Sequence, residues 1–302
     1  EPDATIFSTC DLTINGSGTL NVSATTHHGV HSTDDLVVTG GTLNVDAAND
    51  GLVGGDSVKI GGGSVHVTAQ DNGVKAANDT DEGKGFVLIS GGDVDIDAQD
   101  DGIKATRLIK TSGGTVDVDS QDDALHRDTD LWLDGASLTI SAADDGVHAE
   151  YSLWVADGTL DIASSYEGIE GQDVLVTGGT SKVAYSDDGI NASVASDEES
   201  SQSAQSDAGQ KAGGQDMQAG TGQMPGQQSE TGGTITVTGG TIDLVSTRQG
   251  DSLDSNGTIQ IEGGTVTTSG AESGDSSVLD FETSGTISGG TFIGLGATGM
   301  ET

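Results

Sequence analysis

Paired carboxylates recur along the chain at a spacing that could hold metal ions. Three pairs follow one another at intervals of 22 residues: Asp100-Asp101, Asp122-Asp123 and Asp144-Asp145. If this interval is one turn of a repeating fold, the pairs stack about 4.8 Å apart, the spacing of neighbouring strands. Carboxylates at that distance repel by about 0.9 kcal/mol in water. Ca²⁺ binds carboxylate oxygens at about 2.3–2.6 Å and would turn this repulsion into attraction. The pairs are therefore candidate calcium ligands, although Asp-Asp-Gly is also good metal-free turn chemistry.

Weaker candidate ligands extend the same pattern or lie in the segment GDSLDSNG: Asp71, Asp187, Asp188, Asp251, Asp254 and Asn256. Near the amino terminus, His27, His28 and Asn49 stand where the later repeats have aspartate. Because these residues replace carboxylates, we do not expect a calcium site at that end.

Basic or titratable groups occupy the position two residues after the glycine that follows each acidic pair. Along the chain these groups are Lys75, Lys104, His126 and His148. They are expected either to neutralise the carboxylates or to grip the carboxylate of a sugar beside calcium. A more specific alternative is that the protein is a polysaccharide lyase that acts by β-elimination, with Lys104 or Arg107 as the base. Against this alternative, nearby carboxylates raise the pKa of a lysine and keep it a poor base.

The two tryptophans of the chain, Trp132 and Trp154, are also 22 residues apart. Their neighbours Leu131 and Leu133 have the parity of buried strand positions, so we expect both indoles to point outward, ring over ring. Stacked indoles suit the C–H faces of pyranose rings, and Lys110, one repeat earlier, could pair with a uronate. Alternatively, an inserted loop or a partner chain covers the rings. The carbohydrate-binding candidates are thus Trp132, Trp154, Lys104, Lys110, His126 and His148.

The elements that position these residues follow from two repeating glycine markers. The glycine of the DDGI-like motif, or alanine once, recurs with steps of 22, 22, 29, 22, 22, 22 and 21, at Gly29, Gly51, Gly73, Gly102, Ala124, Gly146, Gly168 and Gly189. A second marker, the GG corner, has the same spacing over most of the chain. Between the markers, short segments such as VDID alternate apolar and acidic residues, which is typical of half-buried strands. The repeat predicts an all-β fold, a right-handed parallel β-helix with about 22 residues per turn.

A single β-helix domain is expected to cover residues 1–302, with one interruption. Residues 194–233 are rich in Gln, Ser and Gly and nearly free of apolar side chains. Such a segment cannot bury enough apolar surface to order itself. We therefore expect a mobile low-complexity loop between turns, because the repeat pattern resumes after it.

Composition limits the partners of the protein. The chain of 302 residues carries 49 acidic and 10 basic residues, a formal net charge of -39. This charge argues against nucleic acid and anionic membranes as partners and favours bound cations. No apolar run approaches the length of a membrane span, so no direct membrane insertion is expected. The single cysteine, Cys10, excludes an internal disulfide. We expect a monomer, and, because the sequence begins at Glu1, a processed form.

Several motifs in order resemble a family of bacterial carbohydrate-binding proteins whose type member comes from a cellulolytic clostridium. These are DDGIKA, SGGTVDVDSQDDALH, GDSLDSNGTIQIEGGTV and the segment GGQDMQAGTGQMPGQ. The resemblance covers nearly the whole chain. It implies a pectate-lyase-like parallel β-helix that binds calcium, cellulose and acidic polysaccharide without established cleavage. It also implies a protein that is secreted or attached to the bacterial cell surface, with calcium held by the three aspartate pairs.

The sequence therefore predicts a calcium-dependent extracellular protein that binds acidic, pectin-like (polygalacturonate) or cellulosic plant polysaccharide and is not an enzyme. Two alternatives remain open at this point. One is the β-eliminating lyase, and the other is a structural surface stalk or adhesin whose ligand is another protein.

Overall fold

The computed structural model describes residues 2–194, 232–270 and 276–296, which form a parallel β-solenoid of about 11 turns. These ranges contain 25 strands and no helix. All pairings between the strands are parallel, and through the middle of the solenoid equivalent residues on successive turns are 22 positions apart. The predicted fold class, an all-β parallel β-helix with about 22 residues per turn, is confirmed.

Successive turns pair along three ladders. Ladder one contains β1 (Ala4–Ser8), β4 (His28–Ser32), β7 (Leu52–Gly54), β9 (Val74–Ala76), β11 (Ile103–Ala105), β13 (Leu125–Arg127), β18 (Ile190–Ala192) and β21 (Leu253–Ser255). Ladder two contains β2 (Leu12–Ile14), β5 (Asp35–Val38), β19 (Thr234–Val237), β22 (Thr258–Ile261) and β24 (Ser284–Ile287). Ladder three contains β3 (Thr19–Ala24), β6 (Thr42–Ala47), β17 (Thr180–Tyr185), β20 (Thr241–Ser246), β23 (Thr265–Ser269) and β25 (Thr291–Leu295).

Longer strands bend from one ladder into the next. Four of them join ladders two and three: β8 (Ser57–Ala69), β10 (Phe86–Ala98), β12 (Leu108–Ser120) and β14 (Asp130–Ala142). Strand β15 (Val147–Ser164) contributes to all three ladders, and β16 (Ile169–Val176) contributes to ladders one and two. In each ladder, an outward residue therefore lies directly beside the equivalent residue of the next turn.

The core is a column of aliphatic side chains stacked turn upon turn. One row of ladder two shows the pattern, with every member at most 2 % exposed: Val58, Val87, Ile109, Leu131, Leu153, Val174, Ile235 and Ile259. Alternation along each strand turns every second residue inward and exposes the residues between them. The outward residues therefore form straight columns on the surface, and these columns carry the candidate site.

Glycine at the acidic turn is required by the close approach of the next turn. A Cβ added to Gly102 would lie 2.7 Å from the carbonyl oxygen of Ala124 and would also collide with Val118. The second glycine of the GG corner serves another purpose, because it has a positive φ, for example 93° at Gly63 and 89° at Gly114. Other residue types rarely adopt such a conformation, which explains why both markers recur with the repeat.

The predicted inserted loop, residues 194–233, lies largely outside the described residues, but the turns on either side of it pair directly. Strand β19 adds to β16 of the preceding turn, with Thr234 opposite Asp173. Gly233 lies against Ala192, since a Cβ added to it would meet the Ala192 carbonyl oxygen. The two ends of the insertion are therefore adjacent in space.

Replacement of residues 194–232 by a short Gly-Ser linker is expected to preserve the fold, because the ends meet and the flanking turns pair without the insertion. The variant should keep the β-rich circular dichroism spectrum and a cooperative thermal melt. Loss of the cooperative melt would show that the inserted segment packs on the solenoid.

Candidate functional site

Trp132 and Trp154 occupy equivalent outward positions on adjacent turns of ladder two. Their Cα atoms are register partners, and each lies between two buried aliphatic residues. The ring centroids are 5.2 Å apart, but the planes meet at 70°. The two rings lie next to each other on adjacent turns as expected, and they pack edge to face rather than in parallel, an arrangement that aromatic quadrupoles favour.

A hydrogen bond accompanies this orientation of the second indole. Trp154 Nε1 donates to Thr177 Oγ1 on the following turn at 3.1 Å. Trp154 is half-buried, whereas Trp132 is 37 % exposed. Trp132 is therefore the more exposed of two indoles that pack edge to face.

Lys110 continues this column on the preceding turn. Its Cα pairs with that of Trp132, and Nζ lies 5.1 Å from the Trp132 ring centroid. The same Nζ is 3.0 Å from a carboxylate oxygen of Asp134. A cation held over an indole in this way leaves a positive group beside an apolar platform. We call Lys110, Trp132 and Trp154 the aromatic column.

The aspartate pairs divide into two columns with different environments. The inner acidic column is mostly buried and consists of Asp50, Asn72, Asp101, Asp123, Asp145, Glu167, Asp188 and Asp251. The outer acidic column has more solvent contact and consists of Asp71, Asp100, Asp122, Asp144 and Asp187. Each predicted calcium pair thus contributes one buried and one more accessible carboxylate.

Inner carboxylates help to join the turns, a role that was not anticipated from the sequence. Most of them accept a hydrogen bond from the backbone N–H of the equivalent residue on the next turn. These bonds run to Asp50 Oδ1 from Asn72 N (3.1 Å), to Asp123 Oδ1 from Asp145 N (2.9 Å), to Asp145 Oδ1 from Glu167 N (3.2 Å), and to Asp188 Oδ1 from Asp251 N (2.7 Å). The inner column is consequently part of the fold as well as a candidate ligand set.

The basic column faces the inner acids from ladder one. Register pairing stacks Lys75, Lys104, His126, His148 and Glu170 on successive turns. Each basic residue contacts an inner carboxylate: Lys104 Nζ lies 2.5 Å from Asp101 Oδ2, His126 Nδ1 2.6 Å and His148 Nδ1 3.3 Å from Asp123 Oδ2, and Lys75 Nζ 3.6 Å from Asp50 Oδ1. Charge neutralisation, one of the two expected roles, therefore describes these contacts.

Asp101 differs from its equivalents in the inner column. Its side chain is fully buried, and Oδ1 has no hydrogen-bond partner among the described residues. Oxygens of Asp100, Asp101 and Asp122 lie within 4.8 Å of one another. A buried carboxylate oxygen without a partner is costly, and an all-oxygen group is the ligand type that calcium prefers. These three residues fit a calcium ion.

Two further groups contain only carboxylates. One consists of Asp122, Asp123 and Asp144, and the other of Glu167, Asp187 and Asp188. In the first group Asp123 already has both oxygens engaged, by Asp145 N and by His126. The fit to calcium is therefore weaker there than at Asp101.

Burial raises the pKa of several carboxyls in these columns. Together with neighbouring carboxylates it raises the pKa of Asp122 to about 7 and that of Glu167 to about 8. Burial likewise raises the pKa of Asp101 and Asp144. For Asp123, burial acts in the same direction but is outweighed by hydrogen bonds with His126 and His148, so its pKa is lowered.

These shifts predict that the metal-free protein becomes less stable as pH rises. A carboxyl that binds its proton more tightly when folded loses stabilising free energy as pH rises from its unfolded pKa, about 4, towards its folded pKa. For Asp122, Glu167 and Asp188 the folded values are about 7, 8 and 7. Urea unfolding in chelator should therefore give a lower free energy of unfolding at pH 8 than at pH 5. An increase over that interval would contradict the assignment.

The remaining residues predicted from the sequence are Arg107 and three residues of the segment GDSLDSNG. Arg107 Nη2 donates to the carbonyl of Asp79 at 2.8 Å. Asp251 Oδ1 accepts the backbone N–H of Ser277, and burial raises the pKa of Asp254 to about 6. Asn256 is exposed, whereas Asp251 and Asp254 are half-buried.

Sequence reasoning missed two features near this site. Thr177 accepts a hydrogen bond from the Trp154 indole. Its position 23 residues later, about one repeat, is the feature of the sequence that could have indicated this contact. Arg127 is fully buried, and its guanidinium nitrogens have no hydrogen-bond partner among the described residues. Its register partners are Ala105 and Ala149, so an arginine in a column of alanines was the signal. Burial lowers the pKa of Arg127 to about 10.

A parallel solenoid with an exposed aromatic column and stacked oxygen donors belongs to the class of repeat proteins that present a regular binding surface. A sequence model of the family described as "Carbohydrate-binding domain-containing protein" matches residues 1–168 and, in a second overlapping alignment, residues 114–276. The chain belongs to this family, and a carbohydrate-binding role follows from the membership. Searches of curated proteins and of solved structures found no match. No helix in the described ranges is long and apolar enough to cross a membrane.

Proposed function

We propose that the protein binds an acidic plant-type polysaccharide, such as polygalacturonate, or a cellulosic chain, in a calcium-dependent manner and without cleaving it. The observation that carries the proposal is the aromatic column, in which Lys110 stands beside the exposed ring of Trp132. A pyranose ring packs its C–H face on an indole, while an ammonium group pairs with a uronate carboxylate. This combination favours an acidic sugar over a neutral one.

The spacing of the column suits a repeating ligand. Adjacent rungs of a parallel ladder are about 4.8 Å apart, which is roughly the length by which one pyranose unit advances a chain. Lys110, Trp132 and Trp154 occupy three successive rungs. Neighbouring sugar units can therefore contact neighbouring rungs in the same way.

Calcium has two roles in this proposal. At Asp100, Asp101 and Asp122 it would neutralise clustered carboxylates and satisfy the partnerless oxygen of Asp101. An ion with free coordination positions would also attract a uronate. Calcium dependence suits a protein that is secreted or attached to the cell surface, and we propose that location for this chain.

A panel of immobilised glycans tests the proposed specificity. In millimolar calcium, the protein should be retained on polygalacturonate more strongly than on a neutral glucan, and Lys110→Gln should reduce this preference. Asp134→Asn is the matched variant, because it frees Lys110 from its ion pair and should not reduce retention. Equal retention on charged and neutral glycans in both variants would contradict recognition of the uronate.

The lyase alternative is disfavoured by the state of its candidate bases. The pKa of Lys104 is raised above its usual value. Burial alone would lower it, but the charge of Asp101 and the hydrogen bond to Asp101 outweigh the effect of burial. A lysine held protonated does not abstract a proton efficiently. Arg107 Nη2 donates a hydrogen bond to the Asp79 carbonyl oxygen, and a guanidinium is in general a poor proton acceptor.

We therefore expect no unsaturated uronate product when the protein is incubated with polygalacturonate and calcium at neutral or alkaline pH. The measurement is ultraviolet absorbance of the conjugated product over time. A steady increase that disappears in Lys104→Ala would overturn the binding-only proposal and establish the lyase.

A further inference from the structure

Two histidines converge on Asp123, one of the carboxylates considered above as a calcium ligand. His126 in β13 and His148 in β15 are register partners on adjacent turns. Nδ1 of His126 lies 2.6 Å from Asp123 Oδ2, and Nδ1 of His148 lies 3.3 Å from the same oxygen. We call Asp123, His126 and His148 the nitrogen–oxygen cluster.

We propose that the nitrogen–oxygen cluster binds a divalent transition-metal ion of the zinc class, and that the two imidazoles assign Asp123 to this ion rather than to the calcium group of Asp122 and Asp144. Imidazole nitrogen is a ligand for zinc and its neighbours in the periodic table, whereas calcium takes oxygen ligands. The inference stands on the two histidines and does not depend on carbohydrate binding.

The three ligand atoms lie within 4.8 Å of one another, and one separation already matches such an ion. Zinc bonds of about 2.0–2.2 Å in a tetrahedral site place ligand atoms roughly 3.3 Å apart. The separation of Asp123 Oδ2 and His148 Nδ1 is 3.3 Å. His126 must withdraw from its 2.6 Å contact by less than about 1 Å, and its side chain, 20 % exposed, borders solvent on one side.

The surroundings hold the ligands in place. Asp123 is buried, and its Oδ1 accepts the backbone N–H of Asp145 at 2.9 Å, which directs Oδ2 towards the histidines. The other ring nitrogen of His126, Nε2, lies 3.7 Å from Asp128 Oδ1. A carboxylate behind a ligating histidine is a recurrent second partner in metal sites, where it fixes the ring and strengthens the ligand.

A fourth donor is available on the next turn. Glu170 Oε2 lies 3.6 Å from His148 Nδ1, and Asp145 Oδ2 lies at the same distance. On the preceding turn the column carries Lys104, an amine that is paired with Asp101 Oδ2. The rungs of His126 and His148 are therefore where this column offers two imidazoles side by side.

The test uses tag-free protein in saturating calcium, so that the oxygen groups are occupied. Zn²⁺ titrated by calorimetry should bind with a stoichiometry of one, and Co²⁺ should give the intense visible bands of a four- or five-coordinate ion. His126→Gln/His148→Gln should abolish both signals, and Asp128→Asn should weaken zinc binding by about ten-fold. His66→Gln is the control, because His66 also faces an aspartate, Asp95, but stands apart from the cluster.

Circular dichroism and the thermal melt establish that each variant is folded. The cobalt spectrum of the unaltered protein tests the coordination of the ion without any substitution. A spectrum of octahedral, water-like cobalt would overturn the proposal. Zinc binding that persists in the folded double variant at the level of His66→Gln would also overturn it, because the ion would then be held by the acidic surface.

Discussion

Replacing Trp132 and Trp154 together with alanine should weaken polysaccharide binding by roughly 100-fold. Burial of one indole face against a sugar contributes on the order of 1–2 kcal/mol, and 1.4 kcal/mol corresponds to a ten-fold change in affinity. The single variants should differ. Trp132→Ala should remove more affinity, because Trp132 is the more exposed indole, while Trp154→Ala should cost more stability, because it also removes the bond to Thr177.

Tyr151→Ala provides the matched control for this prediction. Tyr151 is an aromatic residue of β15 that is 56 % exposed but lies outside the aromatic column. Its loss should leave affinity unchanged in the same titration of soluble oligosaccharide. Unaltered binding by the double tryptophan variant would move the sugar site to the acidic and basic columns, and a collapse of the melting temperature would assign both rings a structural role.

Calcium should raise the melting temperature by roughly 4 °C relative to chelator. An ion that binds only the folded state contributes about 2.7 kcal/mol when its concentration is 100 times the Kd, and each kcal/mol corresponds to about 1.6 °C in a chain of this size, from an unfolding entropy of about 2.1 cal/mol/K per residue. The contribution should come mainly from the group of Asp100, Asp101 and Asp122, because Asp101 Oδ1 has no hydrogen-bond partner in the part of the chain that the structure describes.

The effect of Asp122→Asn on the melting temperature should depend on whether calcium or chelator is present. Burial and neighbouring charges raise the pKa of Asp122 to about 7, so its ionisation at pH 8 opposes folding when no cation is present. In chelator the variant should therefore melt at the same temperature as the unaltered protein or higher, whereas in calcium it should melt lower. Asp117→Asn, at an exposed position of ladder three, should behave like the unaltered protein in both conditions. Equal calcium shifts in all three proteins would contradict the assigned ligands.

The register of the functional columns was predictable because it depends on spacing alone. In a parallel solenoid, residues one repeat apart become neighbours, and alternation decides which of them face outward. Leu131 and Leu133 are buried as their parity predicted, and Trp132 pairs with Trp154. Column membership needs no knowledge of side-chain torsions.

The chemistry within each column was less predictable because it depends on side-chain conformation and on partners from other turns. The edge-to-face angle of the indoles accompanies a hydrogen bond to Thr177. Asp101 and Asp123 occupy equivalent positions, yet Asp123 accepts a backbone N–H and Asp101 Oδ1 does not. The two residues are equivalent positions of the repeat, so the spacing cannot indicate which of them has a carboxylate oxygen available to bind a cation.

Calorimetric titration of a defined polygalacturonate oligomer, in saturating calcium and then in chelator, tests the proposed calcium-dependent recognition most directly. The account predicts binding in calcium that is lost or severely weakened in chelator, that is weakened by Trp132→Ala, and that is retained in Tyr151→Ala. Binding of equal strength in calcium and in chelator, in protein that stays folded in both, would contradict it.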